Sequence, residues 1–255
     1  MGVFEHFRPE ERPLVEHLLD LIRRAEERYF VQRSDFLDPR ARQILISLVG
    51  KNEKVRLSFF GGFPNAERQR ALLSPPYAAA AEDDFAVSVL EVDYPHKFVT
   101  LAHRDLLGAI LGCGVDRRKI GDLLVGETHV QFICTADIAA YLSNNLVSVG
   151  RQPVSVRPAK TILHTEEQWF EDSGTVASLR LDAVIAEIYR LSRAAAAERI
   201  SRGLVKVNWQ LIERRDFEVI EGDILSLRGA GRSKILSAGE LTKKHKIRLY
   251  YGKLN

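Results

Sequence analysis

The sequence has little of what a secreted, membrane-spanning or zinc-binding protein needs. Only two of its 255 residues are cysteine, Cys113 and Cys134, and neither has a partner at zinc-ligand spacing. No run of about 18 apolar residues occurs, so no transmembrane helix is predicted. The first residues carry charges throughout and lack the apolar core of a secretion signal. We therefore expect a cytoplasmic protein with reduced thiols, no metal and no cofactor.

Signatures of nucleotide binding and catalysis are also missing. The stretch "HRDLLGAI" is similar to a kinase catalytic loop, but no downstream asparagine and no glycine-rich phosphate loop accompany it. Gly112 and Gly114 form a lone GxG, which a helix end explains better than a phosphate cradle. The seven histidines form no metal-binding pattern. We expect a protein that is not an enzyme, and an RNA-modifying or RNA-processing enzyme without a recognisable motif is the alternative.

Positive charge is concentrated at one end of the chain. Residues 176–255 contain 16 lysines and arginines against 9 acidic residues, whereas the whole chain has a net charge of only +3. A basic module on a slightly acidic body favours a polyanionic partner at the carboxy-terminal end, and a solvated cationic surface is the alternative.

Hydrophobic spacing and turn signals predict an α+β protein of three small domains, at residues 1–80, 81–160 and 176–255. The first is predicted to be an α/β domain. It has a helix near residues 10–28, a second helix from Pro39 to Gly50, and then a strand, a Gly61-Gly62 turn and a third helix starting near Glu67.

The central domain reads as β-α-β-β-α-β, the order of ferredoxin-like and RRM-like domains. Its strands and helices come from "FAVSVLEV", "HRDLLGAILGCG", "GDLLVG", "THVQFICT", "ADIAAYLSNNLVSVG" and "QPVSVRP". The aromatic signature with which RRM domains stack RNA bases is absent from "THVQFICT". Any RNA contact of this domain is therefore expected to differ from the usual base stacking.

The segment "LSRAAAAERISRGLVKVNW" predicts a short, capped, arginine-rich helix. Ser192 precedes the helix, where its hydroxyl can cap free backbone amides, and Gly203 ends it. Arg193 then lies in the first turn, where a positive charge is unfavourable unless an anion completes the site. A hydroxyl, backbone amides and a guanidinium suit a phosphate, and a helix with solvent-facing arginines is the alternative.

This segment and its surroundings, from "RLDAVIAEIYRLSR" to "EGDILSLRGAGR", resemble the S4 domain, a small RNA-binding module. The resemblance implies an αα hairpin on a small β-sheet that binds structured RNA by shape and phosphate contacts. It departs from the usual pattern at Trp209, where a small residue is normal. Charge alone adds Arg199 and Lys234 as RNA contacts. The contacts that the resemblance implies are Arg180, Ser192, Arg193, Arg202, Lys206 and Asn208.

Two motifs extend the resemblance to nearly the whole chain: "GGFPNAER" and "HRDLLGAILGCGVDRRKIGD". With the S4-like end, they are typical of the YlmH family of bacterial RNA-binding proteins. The resemblance implies a protein that binds ribosomal RNA on the large ribosomal subunit, and also peptidyl-tRNA, in ribosome-associated quality control of stalled nascent chains. We expect the protein to be a monomer. A role as an interaction protein in cell division is the alternative.

Basic side chains in these two motifs are candidates for a second RNA contact. Each either reaches a phosphate or pairs with acidic neighbours in a structural role. They are Arg68, Arg70, Arg104, Arg117, Arg118 and Lys119.

Overall fold

The computed structural model describes residues 7–28, 30–126, 128–163, 169–242 and 245–254. The start of the first predicted domain, residues 1–6, and residues 164–168 after the second lie outside the described residues. The chain divides into two compact units, Met1–Thr165 and Glu166–Asn255. The first unit contains the first two predicted domains, and the second contains the S4-like segment. In the described part of the chain, no helix is both long and apolar enough to cross a bilayer.

The first unit begins with two helices packed on a three-stranded antiparallel sheet of order β1-β3-β2. Val15 and Leu18 of the first helix pack with Ile44 and Leu45 of the second. Asp38 caps the second helix by accepting a hydrogen bond from the backbone amide of Ala41 (2.8 Å). The elements are α1 (Arg12–Arg28), β1 (Gln32–Leu37), α2 (Pro39–Val49), β2 (Arg56–Phe60) and β3 (Gln69–Ser74).

Two strands of this layer differ from the sequence-based expectation. The prediction of a helix from Glu67 is wrong, because β3 lies there, paired on both sides with β1 and β2. Ala71, Leu72 and Leu73 are all buried, and such a continuous apolar run lacks the alternation that marks a half-exposed strand. The polar sequence of β1, "QRSDFL", does not predict a strand.

The central part of the first unit has the predicted β-α-β-β-α-β order, with a short hairpin before the last strand. Its antiparallel sheet has the order β5-β6-β4-β9. Leu106 and Ile110 of one helix and Leu142 of the other pack with Leu90 and Phe132 on one face of the sheet. The elements are β4 (Val87–Asp93), α3 (His103–Gly112), β5 (Ile120–Val125), β6 (Val130–Thr135), α4 (Ala136–Asn145), β7 (Ser148–Val149), β8 (Gln152–Pro153) and β9 (Ser155–Pro158).

The opposite face of this sheet is the one on which RRM domains stack RNA bases, and here other parts of the first unit cover it. The side-chain amide of Gln131 on β6 donates to the carbonyl of Thr161 (2.8 Å) and accepts from the amide of Leu163 (2.8 Å). The apolar side chains of this contact are Phe36, Leu124 and Ile133, with Phe63, Val87, Val89, Ile162 and Leu163 packed around them. The face is therefore core rather than surface.

The second unit is an αα hairpin on one face of a six-stranded antiparallel sheet of order β10-β15-β14-β13-β11-β12, which agrees with the fold that the resemblance implies. Ile185 and Ile200 of the two helices pack with Val205, Leu225 and Leu249 of the sheet. The elements are β10 (Trp169–Val176), α5 (Leu181–Ile188), α6 (Arg193–Ser201), β11 (Val205–Val207), β12 (Gln210–Leu211), β13 (Ile224–Leu227), β14 (Gly231–Leu241) and β15 (Ile247–Leu254).

Gly121 on β5 tests how closely the two parts of the first unit pack. A Cβ atom there would lie 2.8 Å from Cε1 of Phe36 and 3.1 Å from Cβ of Ile133. Gly121→Ala should therefore lower the free energy of unfolding by about 1–3 kcal/mol through overpacking. Gly108→Ala adds the same methyl group to α3, where nothing lies within 4 Å, and should raise it by up to about 1 kcal/mol. Urea unfolding of both variants measures the difference, and equal effects would contradict the close contact.

Candidate RNA-binding interface

Helix α6 begins as the sequence predicts. The Ser192 hydroxyl accepts a hydrogen bond from the backbone amide of Ala195 (3.1 Å). Ala196 and Ile200 are the buried residues of the helix. The other alanines have short side chains, so the helix backbone lies close to the surface. Gly203, with a φ of 67°, follows the helix in the left-handed region that glycine adopts at least cost. The result is a short helix with its capped amino-terminal end at the surface.

Arg180 and Arg193 meet on one carboxylate, that of Asp182. Arg180 donates from Nε to Oδ1 (3.2 Å) and from Nη2 to Oδ2 (3.3 Å). Arg193 donates from Nε to Oδ2 (3.3 Å) and from Nη2 to Oδ1 (3.4 Å). The Asp182 side chain is 6% exposed, whereas those of Arg180 and Arg193 are 39% and 53% exposed. We refer to these three residues as the Asp182 cluster.

The backbone fixes the position of this carboxylate. At the start of α5, the amide of Leu181 donates to the carbonyl of Phe217 (2.8 Å) and that of Asp182 donates to the carbonyl of Arg215 (3.1 Å). Arg180 also forms an isolated β-bridge with Glu218. The first turn of α5 is thereby attached to residues 215–218 before any side chain contributes.

The Asp182 cluster carries a net positive charge. Burial raises the pKa of the Asp182 carboxyl, but hydrogen bonds from Arg180 and Arg193 and their charges outweigh burial and hold the pKa below its usual value. The carboxylate is therefore ionised at neutral pH. Its stabilising effect is present above the ordinary aspartate pKa and is lost as the pH falls through the lowered value. Two positive charges around one negative charge attract an anion such as phosphate.

The other two predicted arginines of α6 are less fixed. Arg202 donates from Nη1 to Glu198 Oε1 (3.4 Å), and both side chains are about two-thirds exposed. Arg199, in the last turn, is partly exposed. An exposed ion pair of this kind contributes little to stability, so the Arg202 guanidinium is available to a phosphate at small cost.

Lys206 and Lys234 lie on the other face of the sheet. Val205 and Val207 point into the core beneath the helices, so the exposed Lys206 between them points away from the helices. Lys234 lies between the buried Ser233 and Ile235 and points the same way. The structure therefore divides the predicted contacts between the helix layer, with Arg180, Ser192, Arg193, Arg199 and Arg202, and the outer sheet face, with Lys206 and Lys234.

The Asn208 side chain has a structural role in the turn between β11 and β12. Its Nδ2 donates to Asp223 Oδ1 (2.8 Å), and its Oδ1 accepts from the amide of Ile224 (2.9 Å). Asn208 and Trp209 both have positive φ values, 48° and 63°. The guanidinium carbon of Arg232 lies 5.9 Å from the centre of the Trp209 ring. The Asn208 side chain therefore stabilises the turn. The contact between Trp209 and Arg232 beside it could not be predicted from the sequence, because the two residues are distant in the chain.

Arg68 and Arg70 do not fit an RNA contact, because both guanidiniums donate to backbone carbonyls inside the first unit. Arg70, only 7% exposed, reaches the carbonyls of Ser34 (2.8 Å), Phe85 (2.6 Å) and Ala86 (2.9 Å). Arg68 reaches those of Ile120 (3.0 Å) and Phe36 (3.0 Å). Burial lowers the pKa of both groups. Both guanidiniums are therefore engaged inside the protein and do not fit the phosphate contact that the sequence suggests. The position of an arginine in the sequence does not reveal burial that arises from the tertiary fold.

The remaining candidates for a second contact form no converging site. Lys119 pairs with Asp137 (3.1 Å) and Asp35 (3.4 Å). Arg117 donates to the carbonyl of Ile120 (2.6 Å) and Arg118 pairs with Asp116 (2.7 Å). Arg104 pairs with Asp105 (3.4 Å), with its side chain 89% exposed. Arg104 and Arg118 are thus at the surface, whereas Arg117 and Lys119 contribute to the structure of the first unit.

The burial of Arg70 predicts a stability effect rather than a binding effect. Arg70→Met keeps an unbranched side chain but leaves the three carbonyls without their donor, so the free energy of unfolding should fall by about 3 kcal/mol. Arg104→Met, at an exposed site, should change it by less than about 0.5 kcal/mol. Thermal and urea unfolding distinguish the two variants. A fully stable Arg70→Met protein would contradict the structural role.

Three family models match successive parts of the chain. They are "YlmH, N-terminal" over residues 10–78, "Putative RNA-binding domain in YlmH" over residues 80–162, and "S4 domain" over residues 179–225. The S4 match includes the Asp182 cluster and the whole helix layer. The last two strands of the second unit lie beyond it.

Two relatives agree with these models. The "Ribosome-associated protein quality control protein P2" of Bacillus subtilis (strain 168) is 40% identical over 253 residues, which cover 98% of this chain and 97% of that protein. The solved structure "Cell division protein ylmH from Streptococcus pneumoniae" is 28% identical with a TM-score of 0.55, covering 62% of this chain and 96% of that one. The order of matched domains and the full-length similarity show that the chain belongs to the YlmH family.

Proposed function

We propose that this protein binds folded ribosomal RNA on the large ribosomal subunit, with the helix layer of its second unit as the main contact. The observation that carries this proposal is the Asp182 cluster, which holds two partly exposed guanidiniums together beside the capped end of α6. Guanidiniums bind phosphate in a planar, bidentate way, and a helix amino terminus favours the same charge. The surplus of positive charge in residues 176–255 supports a polyanionic partner.

The proposed role is in ribosome-associated quality control. The protein stabilises peptidyl-tRNA on a stalled large subunit, acts in the cytoplasm as a monomer, and catalyses no reaction itself. The name of the Bacillus subtilis relative supports this role, because the similarity to that protein extends over nearly the full length of both chains. The match of the central domain to a family model of an RNA-binding domain supports a polynucleotide partner.

Arg193→Ala tests the main contact. It removes one of two arginines that share Asp182, so Arg180 still compensates the buried carboxylate and the fold is kept. Loss of a charge-assisted phosphate contact should weaken binding to purified bacterial large subunits by about tenfold. The slope of log affinity against log salt should become shallower by about 0.7–0.9. Filter binding over a range of salt concentrations measures both quantities.

The matched control is Arg23→Ala on α1, where Arg23 and Arg24 likewise share one carboxylate, that of Asp20. This variant removes the same charge from another surface and should bind as the unaltered protein does. Equal losses for the two variants would show that net charge, not the Asp182 cluster, determines binding.

In the same assay, large subunits that carry peptidyl-tRNA should bind the protein more tightly than vacant ones. Equal affinity would contradict the tRNA part of the proposal.

The outer sheet face should supply a second, weaker contact. Among the described residues, no hydrogen bond or ion pair involves the side chain of Lys206 or Lys234, so removing both side chains should leave the unfolding midpoint unchanged. As flexible point charges they should each contribute one salt-sensitive phosphate contact, and Lys206→Ala with Lys234→Ala should make the salt slope shallower by about 1.5. An unchanged slope and affinity would show that RNA contacts only the helix layer.

A further inference from the structure

Asp182 occupies an unusual place for an acidic residue in a site that attracts RNA. A carboxylate at such a surface repels phosphate, yet this one lies between the two arginines of the proposed main contact. It receives four hydrogen bonds from them, two from each guanidinium. Its pKa is held low, so the charge persists at neutral pH. A role other than direct RNA contact is needed to explain it.

The pattern of donors shows what the carboxylate does to the arginines. Both guanidiniums bind it through Nε and Nη2, side-on. In the part of the chain that the structure describes, the Nη1 of neither arginine makes a hydrogen bond. Each guanidinium therefore keeps donors at the end of its side chain for a second anion.

Without a shared carboxylate, two neighbouring guanidiniums repel each other and each side chain samples many rotamers. Ordering a free arginine side chain therefore costs conformational entropy. Asp182 removes both obstacles, because its own position is set by the backbone of α5 and residues 215–218. The arginines are then ordered before RNA arrives.

We propose that Asp182 is a positioning residue, which does not touch RNA but aligns Arg180 and Arg193 so that both reach one phosphodiester group. This inference rests on the proposed RNA contact of the helix layer. The competing explanation is that Asp182 only neutralises charge in the folded protein. The two explanations predict opposite signs for the same substitution.

The deciding experiment measures binding of the full chain to deproteinised large-subunit ribosomal RNA. Asp182→Asn adds one positive charge to the site, so a mere neutralising role predicts tighter binding. A positioning role predicts binding weaker by about tenfold, because the arginines lose their common acceptor. Asp20→Asn on α1 is the matched control. It removes an equal charge from a carboxylate in the first unit that Arg23 and Arg24 likewise share, and should bind as well as or better than the unaltered protein.

A second variant tests the positioning role without a change in net charge. It also keeps the proposal testable if Asp182→Asn does not fold. Asp182→Glu retains the charge but displaces the carboxylate by one methylene, and should also weaken binding. Combining either variant with Arg193→Ala completes a double-mutant cycle. Arg193→Ala should cost about tenfold in the unaltered protein and about twofold or less in the Asp182 variants, because Arg193 is then already misaligned. A carboxylate that only stabilises the fold would leave the cost of Arg193→Ala unchanged.

Unchanged or tighter binding by both Asp182 variants, or fully additive cycles, would overturn the positioning role. Binding to naked ribosomal RNA and binding to whole large subunits are measured separately, so that failure of the positioning role can be told from failure of the proposed function. Large subunits that fail to bind the unaltered protein, while the naked RNA binds it, contradict the ribosomal role and leave the Asp182 result valid. A protein that binds neither contradicts both.

Discussion

One buried carboxylate determines the charged surface of the second unit. Asp182 accepts from Arg180, which precedes the first helix of the hairpin, and from Arg193, which begins the second. The two helices are already joined by their shared apolar core, with Ile185 and Ile200 on the same sheet. The carboxylate adds hydrogen bonds to this apolar packing. It also allows two guanidiniums that would otherwise repel each other to lie side by side. The proposed phosphate contact depends on this arrangement, because a pair of ordered guanidiniums loses less entropy on binding than a free pair does.

The first unit uses its central sheet differently from an RNA-binding RRM domain. Gln131 and Ile133 lie on the strand that carries stacking aromatics in such domains, but here they contact residues 161–163 and Phe36. Arg68 and Arg70 attach the first layer to the central part by donating to backbone carbonyls on both sides. These contacts make one compact unit from two predicted domains and leave the face of the sheet covered. Any RNA contact of the first unit then falls on exposed loops and helix ends rather than on the sheet.

Short-range chemistry predicts much of the second unit. The features that depend on tertiary contacts could not be predicted from the sequence. Ser192 as a cap and Gly203 as a helix end follow from short-range chemistry, and the alternation around Lys206 correctly places it away from its apolar neighbours. Which face of the sheet the helices cover is not a local property, so the separation of Lys206 from Arg193 required the structure. Asp182 lies within the segment "RLDAVIAEIYRLSR", but the sequence alone assigns it no role, because its second partner, Arg193, comes from another helix. The sequence of the buried strand β3 does not predict a strand, because a central strand covered on both faces loses its alternating pattern.

Crosslinking of the full chain to large ribosomal subunits, followed by mass spectrometry of the RNA-linked peptides, tests the central claim most directly. If the Asp182 cluster is the main RNA contact, the RNA-linked peptides come mainly from the αα hairpin, between Arg180 and Gly203. A set of linked peptides confined to the first unit, with the hairpin unmodified, would contradict it.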